Sequence, residues 1–135
     1  MRLRKAVSDL LRWERVCRVA TVDRTGRPHV TPVCQVVRDG KIYFAVGRDS
    51  RKAANLRQTP HVAVLVDLYS EEWGRLAGAL VQGRAALIER GPAFRSIRTL
   101  LYEKYPQYPE ESAIEVGDSL VVEVTPERVA SWGLE

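Results

Sequence analysis

A chain of 135 residues is long enough to bury one core without disulfides or metals, so a single domain is expected. Hydrophobic residues at 45% and charged residues at 28% are ordinary for a soluble globular protein, and no apolar run approaches the ~20 residues that span a bilayer. The net charge of +4 fits an anionic ligand and also a weak nucleic-acid contact. Met1-Arg2-Leu3-Arg4-Lys5 is not followed by an apolar segment of signal-peptide type, so a cytoplasmic location is the expectation.

From Leu3 to about Arg15, apolar residues at Leu3, Val7, Leu10, Leu11 and Trp13 predict an amphipathic helix with Arg and Lys on its other face. It is short and opens a compact domain, which favours a packed surface helix over one lying on a membrane or on nucleic acid. Val16 to Val22 is β-branched and ends in Asp23-Arg24-Thr25-Gly26, a hairpin turn. A second strand runs from Pro28 to Val37, and Pro32 within it demands an edge position or a bulge. Asp39-Gly40 turns the chain into a third strand, Lys41 to Val46. After a short helix, His61 to Asp67 is nearly continuous in apolar residues and reads as a central strand. A polar and aromatic loop with Tyr69, Glu71, Glu72 and Trp73 precedes a long strand from about Leu76 to Glu89, where Gly78 and Gly83 mark a bulge or a close backbone approach. Gly91-Pro92 opens a helix, Ala93 to Tyr105, which Pro106 stops. Ser119 to Thr125 is the last strand, and Arg128 to Trp132 a short tail strand. Six or so strands with two or three peripheral helices predict a small antiparallel barrel.

Chemistry concentrates in Gly47-Arg48-Asp49-Ser50-Arg51-Lys52-Ala53-Ala54-Asn55-Leu56-Arg57. Ser50 is a good N-cap, and the helical turn after it opens with Arg51 and Lys52. Cations are electrostatically out of place there, because a helix N-terminus already bears partial positive charge. Free backbone N–H groups, a hydroxyl and three cations at one point describe an anion site, most naturally for a phosphate. A solvated basic turn capped by serine accounts for the same residues. Cys17, Cys34, His29 and His61 show no metal-ligand spacing, so no metal is expected and the thiols read as buried or half-buried. No catalytic dyad, triad or nucleophile elbow is present, and no catalytic residue is assigned.

Gly26-Arg27-Pro28-His29-Val30-Thr31-Pro32, Ser50-Arg51-Lys52 followed by Asn55-Leu56, Pro60-x-Val62-Ala63-x-Leu65-Val66-Asp67 and Gly83-Arg84-Ala85 occur in one order over nearly the whole chain. In this the chain resembles the pyridoxamine-phosphate-oxidase-like split β-barrel superfamily. The resemblance implies a mainly β, six-stranded antiparallel split barrel of the FMN-binding type, forming a homodimer with flavin-type cofactors at the subunit interface. By the same resemblance Ser50, Arg51 and Lys52 hold the cofactor phosphate, while Thr31, Pro32 and Val33 lie along the ring system.

Departures accompany the likeness. Cys34 stands where oxidases of the superfamily place a lysine, Gly78 replaces a cofactor-contacting glutamine, and the sequence to Glu135 shows no Arg/His segment for pyridoxal substrates. Asp67-x-Tyr69-x-x-x-Trp73-x-Arg75-Leu76, Tyr105-Pro106-x-Tyr108 and Ser131-Trp132-Gly133 are closer to the branch described as dependent on the deazaflavin coenzyme F-420. That coenzyme carries a phosphate and a polyglutamate tail, which extra cations such as Arg48, Arg57 and Arg75 suit, although each taken singly is also an ordinary surface arginine. The expectation is an oxidoreductase moving a hydride between coenzyme F-420 and a small organic substrate. The alternatives are FMN as cofactor, or a non-catalytic carrier of flavin, deazaflavin or haem. No nucleic-acid or membrane partner is expected.

Overall fold

The computed structural model describes residues 1–134. In chain order it holds helix α1 (Lys5–Trp13), strands β1 (Cys17–Val22), β2 (Pro28–Val33), β3 (Val36–Arg38) and β4 (Lys41–Gly47), and helix α2 (Arg51–Gln58). Strand β5 (His61–Leu68), a 3-10 turn (Trp73–Arg75), strand β6 (Ala77–Ile88), helices α3 (Pro92–Lys104) and α4 (Tyr108–Glu111), and strand β7 (Ser119–Trp132) follow. The strands form one sheet in the order β2-β1-β5-β6-β7-β4-β3, every neighbouring pair antiparallel.

β2 and β3 are the two edges of this sheet, yet only Cys34 and Gln35 separate them in the chain. Three peptide steps reach roughly 11 Å at full extension, so the sheet is rolled until its edges approach each other. The result is a barrel split along one seam. At the seam a side chain replaces a neighbouring strand. The Gln35 backbone N–H donates to the Tyr105 hydroxyl at 3.0 Å, and that hydroxyl lies 2.7 Å from the Arg15 carbonyl and 3.1 Å from the Gln35 carbonyl. The buried Gln35 amide donates to the Leu11 carbonyl at 2.6 Å. This is why the strand expected from Pro28 to Val37 divides in two; the sheet has seven strands where the resemblance implies six.

Two apolar layers explain the strand patterns. Inside the barrel Val19, Ile42, Phe44, Val64, Val81 and Val122 pack together, closed by Val7 and Leu11 of α1 and Ala53 and Leu56 of α2. Outside it, α3 lays Phe94, Ile97, Leu101 and Tyr105 over Val36, Tyr43 and Val121. β4 is covered on both faces, which is why Ile42, Tyr43 and Phe44 run together without alternation. Trp13 departs from the expected apolar face of α1: it is 81% exposed at the helix end.

The expected last strand and tail strand are one continuous β7. Its register against β6 shifts between Gln82 and Gly83, where Gly83 pairs with Pro126 and Gln82 with Arg128, leaving Glu127 as the extra residue of a bulge. Pro126 is tolerated there because a bulge needs no ladder donor. Gly83 and Gly78 are close approaches: a Cβ would lie 2.3 Å from the Thr125 carbonyl oxygen at the first and 2.4 Å from the Trp132 indole at the second. Pro32 sits on an edge strand, as a proline in a strand requires.

Candidate functional site

Helix α2 begins with Ser50 in an extended conformation, its hydroxyl accepting from the Ala53 N–H at 3.2 Å. No acidic residue follows in the first turn; Arg51 and Lys52 stand there instead. Buried Asn55 fastens the helix to the barrel by donating to the Thr21 hydroxyl at 3.0 Å. That places Lys52 against β2, where its ammonium donates to the Thr31 hydroxyl at 2.9 Å. Burial lowers the Lys52 pKa, and among the described residues no carboxylate pairs with it. A partly desolvated cation held only by a neutral hydroxyl lacks a counter-charge, which an anionic ligand would supply.

Arg51 is exposed and lines a hollow of ≈ 180 Å³ with Asp23, Arg27, Pro28, His29 and Asn55. Asp23 does not neutralise it. Its carboxylate accepts from the Thr25 hydroxyl at 2.7 Å, the Thr25 N–H at 2.8 Å and the Arg27 N–H at 3.0 Å, and these bonds hold its pKa below the usual value. The acid thus organises its own hairpin turn. The Nδ1 atom of His29 is enclosed without a hydrogen-bond partner, two residues before Thr31 on the same strand face.

The structure brings Ser50, Arg51, Lys52 and Thr31 together. Thr31 and Val33 point to the inner side of β2 and Pro32 to the outer, so the three expected ring-contact residues do not present side chains to one face. What they share is the backbone edge of a strand with no neighbour beyond it. Arg57 is placed elsewhere. It donates to the Arg48 carbonyl at 3.1 Å and lines a separate polar groove of ≈ 410 Å³ with Arg48, Asp49, Leu87, Glu89 and Leu120.

A second surface adjoins β2. The pairing register sets Val30, Ala20, Ala63, Gln82 and Arg128 in one outward row and Pro32, Arg18, Leu65, Leu80 and Ala130 in the next. Small and apolar side chains dominate these rows, Val30 is 59% exposed, and a shallow groove of ≈ 310 Å³ runs past Ala20, Val22, Pro28, Ala63 and Gln82. Tyr69 and Trp73 are exposed in the β5–β6 loop, and the Trp73 indole N–H donates to the Tyr69 hydroxyl at 3.5 Å. Thr21 was not singled out by sequence reasoning, and Asn55 and His29 entered it only through the family resemblance and, for His29, as a possible metal ligand. An asparagine between Ala54 and Leu56 in a helix is the one signal that could have pointed to a buried polar bond.

Among the described residues no group of three His, Cys, Asp or Glu side chains converges as a metal site, and no helix is long and apolar enough to cross a membrane. A comparison with curated proteins returns no match. Solved structures share the fold. The conserved hypothetical protein Rv2991 from Mycobacterium tuberculosis is 24% identical with a TM-score of 0.80, over 98% of this chain and 89% of that one. HutZ, the heme storage protein from Vibrio cholerae, is 18% identical with a TM-score of 0.80, over 99% and 96%. A protein described as F420 reductase is 18% identical with a TM-score of 0.75, over 95% and 98%. At these identities the likeness concerns the fold. A sequence profile of the family described as pyridoxamine 5′-phosphate oxidase matches residues 3–133, nearly the full length that makes the split barrel. The chain belongs to the pyridoxamine 5′-phosphate oxidase family.

Proposed function

We propose that the chain is an oxidoreductase that binds coenzyme F-420 and serves hydride transfer to a small organic substrate, working as a homodimer with the cofactor between subunits. The observation that carries the reading is Lys52, partly buried at the start of α2, bonded to Thr31 and without a carboxylate among the described residues. Beside it Arg51 is open to solvent, and the first N–H groups of α2 add partial positive charge. A phosphate ester completes that set of donors.

The deazaflavin, when bound, supplies the hydride chemistry; the chain's own residues bind and orient it and exclude water. Arg51 and Lys52 would fix the phosphate, Thr31 would hold the Lys52 ammonium at its height on the strand, and the open edge of β2 would run beside the ring system. Tyr69 and Trp73 supply exposed aromatic surface that a second subunit would cover. Resemblance of the Asp67 to Leu76 segment and of Ser131-Trp132-Gly133 to the F-420-dependent branch favours the deazaflavin over FMN, and a structural neighbour described as F420 reductase is consistent with it. FMN offers the same phosphate, so the phosphate site alone does not separate the two.

Replacing both cations, Arg51→Ala with Lys52→Ala, removes two charge-assisted contacts worth about 1.5–3 kcal/mol each. Cofactor affinity is expected to fall by more than about tenfold, with an unchanged circular dichroism spectrum. Undiminished affinity in a folded double variant would place the anion site elsewhere.

A further inference from the structure

The geometry points to Lys104 as a reactive amine that condenses with small uncharged aldehydes, in a cleft apart from the anion site. Lys104 ends α3 and lines a hollow of ≈ 170 Å³ with Arg12 of α1, Val36 and Val37 of β3, and Leu100. The chain has four lysines. Lys5 pairs with Asp9 at 2.7 Å and Lys41 with Glu123 at 3.6 Å, while Lys52 donates to Thr31. Among the described residues Lys104 has no carboxylate at ion-pair distance; its Nζ donates to the Leu11 carbonyl at 2.9 Å.

Around it stand two arginines, Arg12 and Arg15, the Tyr105 ring and apolar walls, with Glu14 acting the other way. The Lys104 Nζ lies 5.3 Å from the centroid of the Tyr105 ring, and the Arg15 guanidinium lies 4.6 Å from the same centroid. Arg15 also donates to the backbone carbonyl of Lys104, which holds its guanidinium at the end of α3. Burial first and Arg15 second hold the Lys104 pKa down at about 8. Cys17, Cys34 and Glu14 act in the opposite direction and do not cancel this. Burial pushes the Cys17 thiol up to about 12 and raises that of Cys34, so both are neutral near pH 7 and Glu14 is the counter-charge that remains. A lysine desolvated beside a second cation is the arrangement that activates an amine as a nucleophile.

The neutral amine keeps its bond to the Leu11 carbonyl through one N–H and retains its lone pair. That pair attacks the aldehyde carbon, forming the C–N bond, and a proton passes from nitrogen to the former carbonyl oxygen. Loss of water from the carbinolamine leaves an imine, with no change in oxidation state. The Val36, Val37 and Leu100 walls suit a short apolar aldehyde and give an anionic one only Arg12. At pH 7.5 an amine of pKa about 8 is about one quarter unprotonated, against about one part in a thousand for an ordinary lysine. Weaker intrinsic nucleophilicity returns part of that advantage.

Reductive alkylation of the full chain with limiting propionaldehyde and cyanoborohydride at pH 7.5, mapped by peptide mass spectrometry, tests this. The α-amino group of Met1 is the internal reference. Lys104 is expected to label at least about tenfold faster than Lys5 and Lys41 in the folded chain and at their rate in urea. Arg15→Gln should slow Lys104 several-fold. Labelling of Lys104 no faster than Lys5 in the folded chain would overturn the assignment. Should Arg15→Gln fail to fold, the pH–rate profile of the unaltered chain decides: a midpoint near 8 supports the proposal and one near 10 overturns it.

Discussion

Lys52 and Lys104 are taken partly out of water without a carboxylate partner among the described residues, and in both the pKa is lowered by burial. A lowered lysine pKa means that the unfolded chain holds the proton through a pH range where the folded chain has released it. From about pH 8 upward, folding therefore gains stability with rising pH at Lys104. Cys17 works the other way, because its thiol is held neutral up to about 12 in the fold but ionises from about 9 when unfolded. Tyr105 and Tyr108, both pushed up to about 12 by burial, add to that loss above about pH 10. The urea midpoint is expected to rise between pH 7.5 and 9 and to fall beyond 10. Cys17→Ala should make the alkaline fall shallower, and an unchanged slope would remove the thiol from its cause.

At the scale of elements, the seam between β2 and β3 depends on a tyrosine contributed by the residue after α3. Tyr105→Phe leaves the buried Gln35 N–H without an acceptor and should cost about 1–3 kcal/mol in urea unfolding. A loss below about 0.5 kcal/mol would mean that water or a neighbouring group replaces the hydroxyl. The seam also marks where sequence reasoning stopped. Helices α1, α2 and α3 and strands β1, β4, β5 and β6 were legible, because their apolar spacing, the Ser50 cap, Gly91-Pro92 and the Asp39-Gly40 turn are local signals. The break at Cys34-Gln35 was not, since it is made by hydrogen bonds that Gln35 donates to Tyr105 and Leu11, distant in sequence. Fusion of the last two strands into β7 was hidden for the same reason: Pro126 and Glu127 read as a stop until the bulge opposite Gly83 absorbs them. In the candidate site, Ser50, Arg51 and Lys52 were legible from helix-terminus electrostatics. The partnership of Lys52 with Thr31 needed the fold, as did the placement of Arg57 beside Arg48 in a separate groove.

On the scale of the whole molecule, the proposed anion site and the small-residue outer rows meet along β2. Those rows carry Val30, Ala20, Ala63, Leu65, Leu80 and Ala130, with Arg18 and Arg128 among them and Arg18 at 3.8 Å from Asp67. Such a face would bury apolar area against a second copy, provided Arg18 and Arg128 stay paired or hydrated at its rim, and a cofactor anchored at Arg51 and Lys52 would lie along its border. The proposed dimer and the proposed cofactor site therefore stand together, and one titration addresses the centre of both. Purified cofactor-free chain is titrated with coenzyme F-420 and, separately, with FMN, following fluorescence and the number of sites per chain. Saturable binding of the deazaflavin below about 10 µM, tighter than FMN, is the expected result. Tight binding of FMN alone would contradict the deazaflavin assignment, and binding of neither below about 100 µM, equivalent to roughly −5.5 kcal/mol, would contradict the cofactor site itself.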